Sequence, residues 1–298
     1  MRITDKSLQA IFLNNLSEVR KQLNQTQTKI ALGKKITKPS DEPFGATRLM
    51  RLNSQIEDID TYLKNIDNGM SFTDITISVM NKIQEQVSNV IADLSNSIDA
   101  TENPQDFANK VDLALENLLS LANYKFNGKY IFGGTNRDEA PYGWDATNSF
   151  IEEKTTSLDG YQRIRISGTV TQKINEPGRD LFGTVGNPPG TDLFNSLISI
   201  KEKLENGETV SADDLENLND INEHIISETT KMGTYYKRME DQKTLLENLR
   251  LDVESLMAKE QEVDVPRAIM DMQNYQASLD RTLKISAQIL PKSLLDYL

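Results

Sequence analysis

The chain has 298 residues, of which 37% are hydrophobic and 6% aromatic, and it carries a formal net charge of −12. That length is ample for a buried core, but so few aromatics suit long exposed helices better than a compact enzyme. There is no cysteine, which excludes disulfides, thiolate catalysis and cysteine-based metal sites.

The charge is uneven. Residues 1–40 hold eight Lys/Arg against Asp5 and Glu18, a balance of +6 that leaves −18 for the remainder. The basic residues interleave with a regular apolar seam and have no aromatics beside them. They read first as a solvated helix face, then as a partner for an acidic surface, and only distantly as a nucleic-acid contact. The start, Met1-Arg2-Ile3-Thr4-Asp5, has no apolar signal core, and no stretch approaches a membrane span. Export, if it occurs, is expected to need no cleaved signal peptide.

In chain order, Phe12, Leu16, Val19, Leu23, Thr26 and Ile30 alternate in steps of four and three, the 3.5-residue repeat of a coiled coil. Gly33 supplies a left-handed end to that helix. Lys34 to Pro43 is a loop, with Asp41 as the expected cap of the next helix, accepting from the Phe44 amide. Leu52, Ile56, Ile59, Leu63, Ile66 and Met70 continue the heptads. Asn68-Gly69 is expected to interrupt them before Met80, Ile83, Val87, Val90 and Leu94 resume. Asn103-Pro104 caps a helix with Val111, Leu115, Leu118 and Ala122 on one face, expected to stop at Asn127-Gly128.

Tyr130-Ile131-Phe132-Gly133-Gly134 reads as a short extended segment closing on a turn. Glycine and proline are then concentrated from Thr135 to Pro189, around the single Trp144. Residues 162–168 alternate polar and apolar as a half-buried strand does, and Val170 to Ile174 is its expected hairpin partner. This β-rich insertion is expected at the tip of the helical rods. Helix returns with Leu193, Leu197, Ile200 and Leu204, stops at Asn206-Gly207, and reopens at Ser211 with Leu215, Leu218, Ile221 and Ile225.

The last stretch, Tyr235 to Leu290, reads as one long rod. Tyr235, Met239, Gln242, Leu246, Leu249, Val253, Leu256, Glu260 and Val263 form one seam. After Pro266 a second runs through Ile269, Met272, Gln276, Leu279, Leu283, Ser286 and Leu290. About fifty helical residues span roughly 75 Å, too long for an ordinary globular helix. A seam of that kind needs a partner, and the amino-terminal seam is the first candidate. Narrow apolar stripes are marginal alone, so both ends are expected to be loosely ordered in the monomer and ordered in an assembly.

The expected fold class is mainly α: long antiparallel helical rods or coiled coil from both chain ends, with a small β-rich insertion in the middle. Three regions follow: a terminal assembly region (1–40 with 260–298), a helical rod domain (41–134 with 191–259) and an outer insertion (135–190). The expected assembly interface is Phe12, Leu16, Val19, Leu23, Ile30, Ile269, Met272, Leu279, Leu283 and Leu290.

Catalytic arrangements are not recognisable. The one histidine, His224, lies on a helix between acids and reads as a surface residue, since a zinc site needs three or four ligands. The many carboxylates are spread along helix faces, with no cleft to hold and desolvate a pair. Ser40 and Asp41 have no base near them in a recognisable motif, and Gly133-Gly134 is a turn rather than a nucleotide loop. No catalytic, cofactor-binding or metal-binding residue is assigned, no cofactor is expected, and a structural protein is favoured over an enzyme.

Several segments carry a family resemblance. Arg2-Ile3-Thr4, Asn15-Leu16 and Ile30-Ala31-Leu32-Gly33-Lys34-Lys35-Ile36 resemble the amino-terminal region of bacterial flagellins. Lys38-Pro39-Ser40-Asp41-Glu42-Pro43-Phe44-Gly45-Ala46 is similar to that family's serine-aspartate-proline-glycine-alanine signature. Met232-Gly233, Arg238-Met239-Glu240, Asn248-Leu249 and Val263-Asp264 resemble its carboxy-terminal region, although Glu260-Gln261 stands where flagellins often have a serine. Asn127 to Gly134 with Pro141-Tyr142, and the close Ser293 to Leu298, resemble the family members at the hook–filament junction.

The resemblance implies an adaptor ring of the bacterial flagellum, secreted by type III export and built through the terminal helices. The partners it implies are the first junction protein at the hook tip, flagellin, further copies of the chain and a cytoplasmic export chaperone; neither nucleic acid nor membrane is among them. A filament or minor flagellin is the alternative. An enzyme carried in the insertion is opposed by the absence of histidine from 135–190.

Overall fold

The computed structural model describes residues 5–99, 103–145, 150–154, 158–183 and 192–289. In chain order its helices are α1 (Asp5–Leu32), α2 (Pro43–Asp99), α3 (Pro104–Ala122), α4 (Gly178–Phe182), α5 (Leu193–Glu205), α6 (Ala212–Gln261) and α7 (Val265–Ile289). Its strands are β1 (Lys125–Phe126), β2 (Lys129–Tyr130), β3 (Tyr142–Trp144), β4 (Ile151–Glu153), β5 (Arg163–Arg165) and β6 (Thr171–Lys173). The fold is mainly α, and the chain forms two compact units: residues 1–58 with 249–298, and residues 59–248.

In the first unit α1 packs on α7, so the two terminal seams do pair with each other. α1 ends at Gly33 in the left-handed region, φ +66°, as its sequence predicts. The long carboxy-terminal rod, however, is not continuous. α6 stops at Gln261 and α7 begins at Val265, because the chain between them turns to pair with the segment leaving α1. Lys34 and Glu262 form an antiparallel bridge. The Lys35 amide donates to the Gln261 carbonyl at 2.8 Å, and the Val263 amide to the Gly33 carbonyl at 3.2 Å.

Asp264 restarts the helix. Its carboxylate accepts from the Arg267 amide at 3.1 Å, and Pro266 falls in the first turn, where no amide is required. Asp264→Ala is expected to cost about 1 kcal/mol, seen as a lower urea midpoint with an unchanged slope.

Asp41 is a second correction. It does not cap α2 with its side chain; one carboxylate oxygen turns back onto the Thr37 hydroxyl (2.8 Å), the Thr37 amide (3.1 Å) and the Lys38 amide (3.0 Å). The turn from 37 to 41 places three donors around it, which outcompete the single amide a helix cap would supply. α2 instead starts from Glu42, whose carbonyl accepts from the Ala46 amide at 2.8 Å. Arg48 and Glu260 form an ion pair at 3.2 Å beside it.

In the second unit α2 runs through Asn68-Gly69 without interruption. Gly69 is buried, and a Cβ there would lie 2.4 Å from Ile164 Cδ1, 3.1 Å from Met239 Sδ and 3.2 Å from Ile174 Cγ2. The glycine permits close approach rather than breaking the helix. α2 and α6 are antiparallel here: Asp67 pairs with Lys243 at 2.8 Å, and Asn222 reaches Ser88 at 3.4 Å.

α3 begins as predicted, with the Asn103 side chain accepting from the Gln105 amide and Pro104 in the first turn. It ends at Ala122, earlier than expected. Asn127 and Gly128, at φ +51° and +77°, are the two-residue turn of the hairpin β1–β2; positive φ at both central positions is what such a turn requires.

The β5–β6 hairpin forms in the expected place, with Arg163 opposite Lys173 and Arg165 opposite Thr171. It lies along the middle of α2, not at a rod tip. Asn65 Nδ2 donates to the Arg165 carbonyl and Thr73 Oγ1 to the Ile174 carbonyl, both at 3.1 Å. The hairpin β3–β4, pairing Tyr142 with Glu153 and Trp144 with Ile151, and the short α4 have no counterpart in the sequence reading.

The core of this unit is organised around Phe182. Its ring centroid is 5.4 Å from Phe132, 5.4 Å from Tyr142 and 5.1 Å from Phe194. α5 packs on α3 and buries Leu193, Leu197, Ile200 and Leu204. It is capped by Asp192, which accepts from the Asn195 amide at 2.8 Å. α6 opens at Ser211, whose hydroxyl accepts from the Asp214 amide while the Asp214 carboxylate accepts from the Ser211 amide, a reciprocal cap.

Candidate assembly interface

On α1 the four-three alternation is realised as read: Phe12, Leu16, Val19, Leu23 and Ile30 are half-buried and Thr26 is buried. On α7 the covered residues, among those described, are Ala268, Met272, Tyr275, Leu279 and Thr282, with Ser278 beside Leu279. This series keeps the four-three step but is displaced from the expected one. Met272 and Leu279 belong to both; Ile269 and Leu283 are exposed, at 39% and 42%. Leu290 lies outside the described residues.

The displacement is one residue toward the amino terminus: Ala268, Tyr275 and Thr282 take the places read for Ile269, Gln276 and Leu283. It also shows that α7 has two apolar edges sharing Met272 and Leu279. One edge faces α1; the other, with Ile269 and Leu283, is open in the single chain, next to exposed Met270 and Ile285. A pair of helices covers each seam residue from one side only, which is why the seam is half-buried rather than sealed.

Beside the α1 seam a groove of about 750 Å³ runs between α1 and the turn at 37–41, lined among others by Leu13, Leu16, Arg20, Lys21, Lys38 and Asp41. Leu13 is 61% exposed. The Thr37 hydroxyl, aided by the Thr37 and Lys38 amides, holds the Asp41 carboxyl below its ordinary value. The turn therefore adds stability above the ordinary carboxylate range and loses it as the pH falls through the lowered value.

Sequence reasoning missed the Thr37–Asp41 closure, the Lys34–Glu262 bridge and the Asp264 cap. The last was legible, since Asp two residues before a proline is a helix-start signal. His224 is exposed as expected, with Nε2 2.6 Å from the Asp180 carbonyl oxygen. Among the described residues no group of three or more His, Asp or Glu is arranged to hold a metal ion, and no helix is long and apolar enough to cross a membrane.

Residues 3–137 match the bacterial flagellin N-terminal helical region. Among curated proteins no sequence match is found. Several solved structures share the fold. A flagellar hook-associated protein of Vibrio parahaemolyticus aligns with a TM-score of 0.66 and 14% identity, over 74% of this chain and all of its own. FlgL of Bacillus cereus gives 0.59 and 20%, over 70% of this chain and 99% of its own. The flagellar junction protein FlgL of Legionella pneumophila gives 0.58 and 11%, over 72% and 100%.

Proposed function

We propose that this chain, a flagellin-type protein by its residues 3–137, is a structural subunit of the bacterial flagellum that forms an adaptor ring at the hook–filament junction. One face of the ring meets the first junction protein at the hook tip and the other meets flagellin; the remaining contacts are with copies of the same chain. Before export a cytoplasmic chaperone holds the terminal segments, and the protein then functions outside the cell.

The observation that carries this reading is the terminal helix pair of α1 and α7. Its seam is half-covered, and a second apolar edge at Ile269 and Leu283 lies open. Apolar area left in water by one chain is recovered when neighbours cover it, and binding of that kind stabilises the ordered form of both ends. On this reading residues 1–40 and 260–298 form the assembly region, 41–134 with 191–259 the rod, and 135–190 the outward part. The junction position, rather than that of a filament flagellin, is supported by the segment from Asn127 to Gly134 and by the fold shared with hook-associated proteins.

Removal of the chain from its source bacterium separates the two positions. A junction subunit leaves hooks without filaments while flagellin is still made and released into the medium as monomer. Filaments of normal length in its absence would sink the junction role. A filament flagellin would instead leave no flagellin in the medium.

A further inference from the structure

We propose that the groove between the middle of α2 and the hairpins β1–β2 and β5–β6 docks a second copy of this chain. The occupant is the open face of that copy's α6 around Asp252, with the Asp252 carboxylate on Arg137. The proposal rests on the reading that copies of the chain meet one another, and not on the junction position.

The groove has a volume of about 450 Å³ and is lined by Phe72, Phe126, Ile164 and Ile174, with Lys129 and Arg137 among them. Arg137 is half-buried and already fixed in place. Its Nε donates to the Tyr130 carbonyl at 3.0 Å and its Nη1 to Gln162 Oε1 at 3.2 Å, and its guanidinium carbon lies 4.5 Å from the Phe72 ring centroid. Gln162 is itself held, its Nε2 donating to the Gly134 carbonyl at 3.0 Å. All of these partners are neutral. The acid next in sequence, Asp138, pairs with Lys129. Burial draws the guanidinium below its ordinary value, and the Asp138 charge opposes the fall. A guanidinium so placed keeps spare donors and an uncompensated charge beside apolar surface. A carboxylate matches that fork.

The surroundings are basic. The stretches that form the two hairpins, 124–137 and 161–173, hold Lys125, Lys129, Arg137, Arg163, Arg165 and Lys173 and no Asp or Glu. They are +6 in a chain of −12, which leaves −18 elsewhere, so a second copy is an acidic partner for this face.

The matching surface is on α6. Of its seam, Leu246 and Val253 are buried, whereas Leu249 and Leu256 are 46% and 53% exposed. At about 100° per residue, Asp252 falls within about 60° of both leucines. It is exposed, and the neighbouring Arg250 pairs with Glu254 instead. One open stripe therefore carries two leucines and a carboxylate, the complement of an apolar groove with a fixed cation. Groove and stripe are different surfaces, so the contact is heterologous: each copy offers its groove to one neighbour and its stripe to another.

The chain has no cysteine, so introduced thiols can be cross-linked without background. Ser71→Cys stands in the groove, and Ser255→Cys stands beside the stripe. The two full-length variants are mixed at low ionic strength and oxidised with copper phenanthroline, and the mixed dimer is measured on a non-reducing gel. Ser71→Cys mixed with Leu113→Cys, on an exposed position of α3, is the control and is expected to stay monomeric. Arg137→Gln in the Ser71→Cys chain is expected to cut the mixed dimer about tenfold. Asp252→Asn in the Ser255→Cys chain, a surface change that leaves the groove intact, is expected to do the same, and the two together to cut it little further. Absence of the mixed dimer, equal yield with the control, or a yield indifferent to Arg137→Gln and Asp252→Asn would overturn the docking. Hooks without filaments on removal of the chain would stand in any of these cases.

Discussion

Leu279→Asp is expected to leave residues 59–248 folded and to abolish the assembly proposed above for the terminal helices. Leu279 is half-buried on the edge of α7 that faces α1. Half the burial of a leucine is worth about 1–1.5 kcal/mol, and an ionised carboxylate placed there adds a desolvation cost. The terminal pair has little else to hold it, so helix content should fall in the free monomer as well as assembly. Leu283→Asp separates two causes. Leu283 lies on the open edge, so the monomer should keep its full far-ultraviolet circular dichroism while assembly is still lost. Normal filaments from a strain carrying Leu283→Asp would show that the open edge is solvated in the assembly too.

The largest loss of stability is expected from Phe182→Ala. Phe182 is 1% exposed at the centre of three other rings. Removing it takes away the transfer energy of a buried phenyl ring and leaves a cavity, about 3–5 kcal/mol together. For a unit of this size that corresponds to roughly 10 °C in melting temperature. The emission of Trp144, in β3 beside Tyr142 of the cluster, reports the transition. A loss below about 1 kcal/mol would mean that Phe132, Tyr142 and Phe194 close over the gap, and that the cluster does not anchor the short strands. Ala at position 182 should leave the terminal pair unaffected.

These two sites differ in how far they could be read in advance. The seams at Phe12–Ile30 and Met272–Leu279 were visible because period 3.5 is a property of the sequence itself. So were the caps at Asn103-Pro104 and Ser211, and the β5–β6 alternation. The aromatic cluster was not: Phe132, Tyr142, Phe182 and Phe194 are scattered over sixty residues, and nothing local says that they meet. Gly69 failed for the same reason. A glycine in a heptad run reads as a break, whereas here Ile164, Ile174 and Met239 need the missing Cβ.

Asp41 was misread because its donors at Thr37 and Lys38 precede it, while capping rules look ahead. The phase of α7 was misread because its sequence supports two apolar edges equally. The Lys34–Glu262 bridge and its two flanking amide bonds fix where α7 starts beside α1.

That bridge has a geometric consequence for how the chain can vary. With both strands of the connection tied at one level, α1 and α7 are counted outward from a shared origin. An α-helix turns by about 100° per residue. Deleting one residue from 263–264 would swing Met272 and Leu279 away from α1 without altering either side chain. Seven added residues would bring them nearly back. The spacing between the bridge and each seam is therefore as much a part of the interface as the residues on it, and natural variation in chain length is expected to collect elsewhere, in the connections between strands.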